Sequence, residues 1–205
     1  MRLQVRIILA ALILLPVMAM AKEPVGVLPK QPIFAVKTNL LYDLTTTFNV
    51  GFEFRLSKSL TLDLPVNCNP WTFSDNKKIK HWLIQPELRY WIYEPFNGHF
   101  LGVNALYSRF NVGSIPIPPG IRQAMGYGDI KNHRYQGDLG GIGISYGYHW
   151  MLSKRWSLES AIGAGYVRLG YRQFSPEVCG ADCGWHKRNY FGLTKLGLSV
   201  IYMIK

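Results

Sequence analysis

From Phe48 to Leu56 the chain alternates without interruption, with Phe48, Val50, Phe52, Phe54 and Leu56 on one parity and Asn49, Gly51, Glu53 and Arg55 on the other. Residues two apart in a strand share a face, so the segment is a strand with one apolar and one charged side. Two arrangements can use such a strand. A water-soluble barrel or sandwich buries the apolar side, whereas a transmembrane barrel turns it outward and buries the polar one.

Seven further segments read the same way. Phe34 to Leu44 sets Phe34, Val36, Thr38, Leu40, Tyr42 and Leu44 against Ala35, Lys37, Asn39, Leu41 and Asp43, and Ser59 to Val66 sets four apolar residues against Thr61 and Asp63. In His81 to Ile92, Trp82, Ile84, Leu88, Tyr90 and Ile92 oppose Gln85, Glu87, Arg89 and Trp91. Pro86 has no N–H to give a ladder, so a bulge or break is expected there. Gly98 to Ser108, Tyr135 to Met151, Trp156 to Tyr171 and Tyr190 to Ile204 complete a set of eight, and no segment reads as a helix.

The connections carry the topology. After a short first turn they run short at Ser57–Ser59, long at Asn67–Lys80, short at Tyr93–Asn97, long at Arg109–Arg134, short at Leu152–Arg155 and long at Arg172–Asn189. Short turns at one end and long loops at the other describe an all-β, eight-stranded antiparallel up-and-down β-barrel of the outer-membrane kind. The N-terminus supports export. Arg2 and Arg6 precede an aliphatic run from Ile7 to Val17, and Ala19-Met20-Ala21 fits a small-x-small cleavage site, so residues 1–21 are expected to be a cleaved signal peptide. Residues 22–32, with Pro24, Pro29 and Pro32, read as a Pro-rich periplasmic tether and 33–205 as one barrel domain. Charged residues are 17% and aromatic ones 14% of the chain, with a net charge of +11, a balance suited to lipid headgroups on an exported protein and poorly suited to nucleic acid.

On this reading the polar parity gathers Lys37, Asp43, Glu53, Arg55, Asp63, Glu87, Arg89, Glu159 and Lys195, five acids and four bases, inside the barrel. Eight strands enclose a space just wide enough for side chains, so these groups are expected to form a salt-bridged plug rather than a channel, with glycines of the same parity making room. Two aromatic girdles are expected, one holding Tyr42, Phe48, Trp82, Tyr107, Tyr166 and Tyr190 near the long loops, the other Tyr90, Trp91, Tyr93, Phe100, Trp150, Trp156 and Tyr202 near the short turns.

The stretches KTNLLYD (Lys37–Asp43), NVGFEFR (Asn49–Arg55), QPELRYW (Gln85–Trp91), NGHFLGV (Asn97–Val103), ISYGYHW (Ile144–Trp150), ESAIGAGYVR (Glu159–Arg168) and NYFGLTKLGLSV (Asn189–Val200) resemble an uncharacterised Bacteroidetes family, the domain of unknown function 3575. The resemblance covers nearly all of the mature chain. It implies an exported, barrel-like protein of the cell envelope and implies no established activity, cofactor or catalytic residue.

Three sets of residues are candidates for chemistry. Cys179 and Cys183, in CGADC on the last long loop, suit a local disulfide in an oxidising compartment. The rival is a metal site of Cys179, Cys183 and His186 with Asp182, whose spacing is not that of a structural zinc site. Ser145, His149 and Glu159 are the nearest approach to a nucleophile, base and acid, but Ser145 and His149 lie four apart on one strand, about 13 Å at ~3.3 Å per residue. No catalytic or metal site and no cofactor is therefore assigned. Ile115, Pro116, Ile117, Pro118 and Pro119 form an apolar loop tip suited to docking a surface or envelope protein or anionic headgroups. The expected role is a structural or surface-binding outer-membrane barrel in contact with membrane lipid, lipopolysaccharide included. The alternatives are a lipid- or lipopolysaccharide-modifying barrel enzyme and a soluble periplasmic barrel holding an apolar ligand.

Overall fold

The alternating segments pair antiparallel with their neighbours along the chain, and the first also pairs with the last. The computed structural model describes residues 32–72, 78–113, 133–175 and 182–204. Its strands are β1 (Phe34–Asn39), β2 (Phe48–Arg55), β3 (Leu60–Asn69), β4 (Lys78–Ile84), β5 (Glu87–Trp91), β6 (Gly98–Gly113), β7 (Arg134–Met151), β8 (Trp156–Phe174) and β9 (Asp182–Ile204), with one short helical turn, α1 (Leu40–Asp43). Val36 of β1 lies opposite Phe52 of β2 on one side and Tyr202 of β9 on the other, which closes the sheet. β4 and β5 are two pieces of one wall strand between β3 and β6, so nine strands make an eight-stranded barrel.

The interruption between β4 and β5 is the one expected at Pro86. The ladder continues around it, because Gln85 N–H donates to Pro65 O at 3.2 Å and Ala105 N–H donates to Pro86 O at 3.1 Å, leaving only the donor that proline lacks missing.

The first strand is shorter than its alternation suggests. It stops at Asn39, whose side chain accepts the Leu41 N–H at 3.1 Å and caps α1, while the Asn39 N–H itself donates to Asn49 Oδ1 at 2.6 Å. Side-chain acceptors here outcompete the ladder, and Asn is well suited to that. The other wall is longer than expected. β6 runs to Gly113, β8 to Phe174, and β9 starts at Asp182 rather than Tyr190, so β6 to β9 extend well into what reads as loop in the sequence.

The apolar parity faces out. Val103, Ile142 and Ile144 are 65%, 66% and 68% exposed, whereas Glu53, Glu87 and Arg89, on the opposite parity, are 0% exposed. The sheet is thus inverted relative to a soluble barrel, with its polar groups at the centre. The expected signal peptide, Ile115 to Pro119, and Cys179 lie outside the described residues, as does the side chain of Cys183. Cys68, which falls in the connection expected at Asn67–Lys80, lies instead on β3, exposed, opposite Phe48 and Trp82 and free among the described residues.

Candidate functional site

The interior is layered along the barrel axis, and its central layer is ionic. Arg89, from β5, is fully buried and spends its guanidinium on four carboxylates from four strands. Its Nε donates to Glu87 at 2.7 Å, Nη1 to Glu53 and Glu159 at 2.9 Å each, and Nη2 to Asp63 at 2.6 Å. Lys37 lies 2.5 Å from Glu53 and 3.2 Å from Asp63, and Lys195 lies 2.9 Å from Glu87. Neutral groups add further donors: Thr61 donates to Glu53 at 2.6 Å, and Ser145 and Asn104 donate to Glu87 at 2.8 and 3.2 Å. A planar, always-charged fork is the side chain suited to several carboxylates at once, and a buried charge is tolerable only when paired in this way.

Seven of the nine residues expected in the plug meet here: Lys37, Glu53, Asp63, Glu87, Arg89, Glu159 and Lys195. Two do not. Asp43 belongs to α1 and is exposed at the rim, where it accepts from Thr38 Oγ1 at 3.0 Å and Asn49 Nδ2 at 2.7 Å, because α1 takes it off the strand parity. Arg55 is the last residue of β2 and sits half-buried at the short-turn end, beyond the ionic layer.

Glycine on the inward parity makes the layer possible. A Cβ on Gly51 would stand 2.6 Å from Lys37 Cγ, and one on Gly102 would stand 2.7 Å from Glu87 Cδ. The flanking strands have no room for both the charged chain and a methyl group. Gly102→Val is therefore expected to displace Glu87 from Arg89 and to destabilise the fold by about 1–3 kcal/mol, read as a lowered urea midpoint at unchanged slope.

Below the ions, toward the short turns, the interior becomes aromatic. Trp91, Phe96 and Phe100 are fully buried, with Trp91 and Phe100 centroids 5.0 Å apart and Arg89 lying 4.4 Å over Phe100. Trp91 and Phe100 are thus inside and not part of the outer girdle. Trp91 shares parity with Glu87 and Arg89, and that parity, not its position near a strand end, decides its side. Phe96 reaches the interior from the turn after β5 with φ at +65°, a conformation uncommon for a residue with a Cβ, and packs against Trp91. Ala35, Ile201 and Met203 form a second buried cluster with Phe96.

His149 joins the two layers. It is 1% exposed, its Nδ1 lies 3.7 Å from Glu159 Oε2, and its ring meets Trp91 edge-on at 5.7 Å. Ser145 is committed to Glu87, so Ser145, His149 and Glu159 do not form a linked nucleophile, base and acid. Above the ions, Leu106, Phe110, Tyr135, Val167, Leu169 and Tyr171 make a third, apolar layer.

A family model described as Protein of unknown function (DUF3575) matches residues 8–204. The chain belongs to this family. No curated protein matches it. Within this DUF3575 chain the segment from Gln85 to Trp91 supplies Glu87, Arg89 and Trp91, and the segment from Asn49 to Arg55 supplies Gly51 and Glu53. The recognisable stretches are therefore the ones that build the ionic layer and its aromatic floor.

Proposed function

We propose that the protein is an outer-membrane β-barrel of structural or surface-binding type, with its short turns in the periplasm and its long loops outside. The observation that carries this reading is the continuous apolar outer face, from Leu101, Val103 and Ile144 to Phe191, wrapped around a core of buried ions. In water such a surface would be a large aggregation-prone patch, whereas hydrocarbon needs every backbone group paired, as a closed barrel arranges. Arg109, Arg168 and Lys187 are exposed at the long-loop end, past Tyr107 and Tyr166, where a bilayer would place lipid phosphates.

The role that follows is a non-conducting scaffold. The ionic layer and the Trp91, Phe96 and Phe100 floor fill the tube, and the partners are membrane lipid, lipopolysaccharide included, and an envelope or surface protein met by the long loops. Two measurements test the placement. The folded protein should sediment with the outer-membrane fraction, and its gel mobility should change on boiling. Recovery as a soluble periplasmic protein would overturn it.

A further inference from the structure

Near the long loops one arc of the outer face is basic and hollow. Register places Arg109 of β6 between Trp82 of β4 and Asp138 of β7, and Gly170 carries the same row on to Lys187 of β9. One row nearer the loops, Lys80 and Trp185 share the outward parity, and one row below, Arg168 does. Lys80, Trp82, Arg109, Asp138 and Trp185 line a groove of about 620 Å³. In the other direction the row runs from Trp82 through Cys68 to Phe48, so on β3 and β2 it carries no cation. We infer that the basic arc is the docking site for the phosphorylated sugar head of one outer-leaflet glycolipid of the lipid A type. The inference rests on the membrane placement proposed above and adds which lipid is held and on which side of the barrel.

Depth agrees with this assignment. The outward apolar run of β6 is Leu101, Val103 and Ala105, so Val103 marks its middle, and Arg109 stands six residues beyond it. At ~3.3 Å per residue and a strand tilt of about 40°, that is ~15 Å along the membrane normal, half of a ~30 Å hydrocarbon core. Arg109 and its row therefore lie at the level of the outer-leaflet phosphates. On the same arc, in the apolar band, Leu88, Leu101, Val103, Ile144 and Leu193 line a second groove of about 710 Å³. Between the two, Gly140 separates Tyr107 from Arg168, and a Cβ on it would meet no atom nearer than 3.8 Å. A head in the upper groove can thus send an acyl chain past Gly140 into the lower one.

Charge and shape select the head. Lys80, Arg109, Arg168 and Lys187 are four cations against the single carboxylate of Asp138, an excess suited to more than one phosphate. A guanidinium meets phosphate oxygens in pairs, and an ammonium adds a point charge. The walls are indoles: the Trp185 ring lies across Gly170, where an added Cβ would stand 2.7 Å from Cζ2, and Trp82 packs on Tyr107 with centroids 5.3 Å apart. Such flat, amphipathic rings sit at headgroup level and offer apolar area to the C–H face of a sugar. A glycerophospholipid, with one phosphodiester and no ring, would leave most of the cations and both indoles unused.

The test is native mass spectrometry of the folded protein in detergent with three probes: hexa-acyl lipid A, the same lipid stripped of its phosphates, and glucosamine 1-phosphate without acyl chains. One lipid A should stay on each barrel, the dephosphorylated lipid should be held about tenfold less well, and glucosamine 1-phosphate should not be retained. Arg109→Gln combined with Lys187→Gln should weaken lipid A retention about 25-fold, at roughly fivefold for each cation beside a lipid phosphate. Lys58→Gln combined with Lys154→Gln, in the short turns, should leave it unchanged. Heat-modifiable migration of each variant establishes that its barrel is folded, and because the assay is run in detergent its result is independent of the sedimentation that tests the membrane placement. Equal retention with and without phosphates, lipid A binding without saturation, retention of glucosamine 1-phosphate as firm as that of lipid A, or equal losses in the two double variants would each overturn the assignment.

Discussion

Arg89→Leu should remove the folded, heat-modifiable form of the protein or leave it marginal. The guanidinium is the one group that touches Glu53, Asp63, Glu87 and Glu159 together, and Leu in its place would leave four buried carboxylates with two lysines between them. Removing one side of a buried ion pair typically destabilises by about 3–5 kcal/mol, against total stabilities of about 5–15 kcal/mol. Arg89→Lys should fall between, because an ammonium keeps the charge and loses the fork. The measurement is the urea midpoint of the refolded barrel. A midpoint within error of the native one for Arg89→Leu would mean that the carboxylates are held by other means, and the ionic layer would lose its place as the keystone of the interior.

Ile144→Arg should block membrane assembly, while Ile144→Leu should pass unnoticed. Ile144 is 68% exposed and lies in register with Val103 on β6 and Ala164 on β8, in the middle of the apolar face. At a bilayer midplane an arginine on the lipid face costs about 2–4 kcal/mol. On a barrel in water the same change would stay within about 0.5 kcal/mol and would improve solubility. The two environments thus predict opposite outcomes for one substitution. Quantifying the variant in the outer-membrane fraction decides between them, and normal assembly of Ile144→Arg would refute the membrane placement.

Much of the barrel is legible in the alternation of the chain. The parity of Phe48 to Leu56 puts Glu53 inward and Phe52 outward, the proline at position 86 marks the interruption between β4 and β5, and the inward glycines mark where long charged chains need space. What escaped did so for identifiable reasons. Asn39 and Asp43 sit on a correct alternation, but a capping side chain close by is a local competitor that period alone does not weigh. Arg109 to Gly113 and Asp182 to Asn189 read as loop because the hydrophobic period fades there, although the backbone ladder continues. Alternation reports an environment that differs on the two sides, and a ribbon with similar surroundings on both has none to report. Position near strand ends points Trp91 and Phe100 to the girdle, whereas their parity places them inside. His149 is singled out by the sequence only as a candidate base, not as the link between the ionic and aromatic layers, and Thr194, the extra residue where the β8–β9 register steps, carries no sequence signal at all. The first depends on which neighbours converge from β5 and β8, the second on a one-residue step in register.

The shortness of β1 bears on how the ring is made. β1 is joined to β9 by six paired residues, Phe34 to Asn39 against Ile204 to Ser199, and to β2 by four, whereas β7 and β8 share a ladder from Arg134–Phe174 to Met151–Ser157. The contacts that unite the two ends of the chain are also the ones separated by the most sequence, so their loop-closure entropy is the largest while their reward is small. β6 to β9 can zip as successive hairpins at little entropic expense, and the seam at β1 is then the last join to form and the first to part. A barrel built in this way is a long curved sheet fastened by a short clasp, and conditions that loosen it should act first at Val36 and Tyr202, before the ionic core is disturbed.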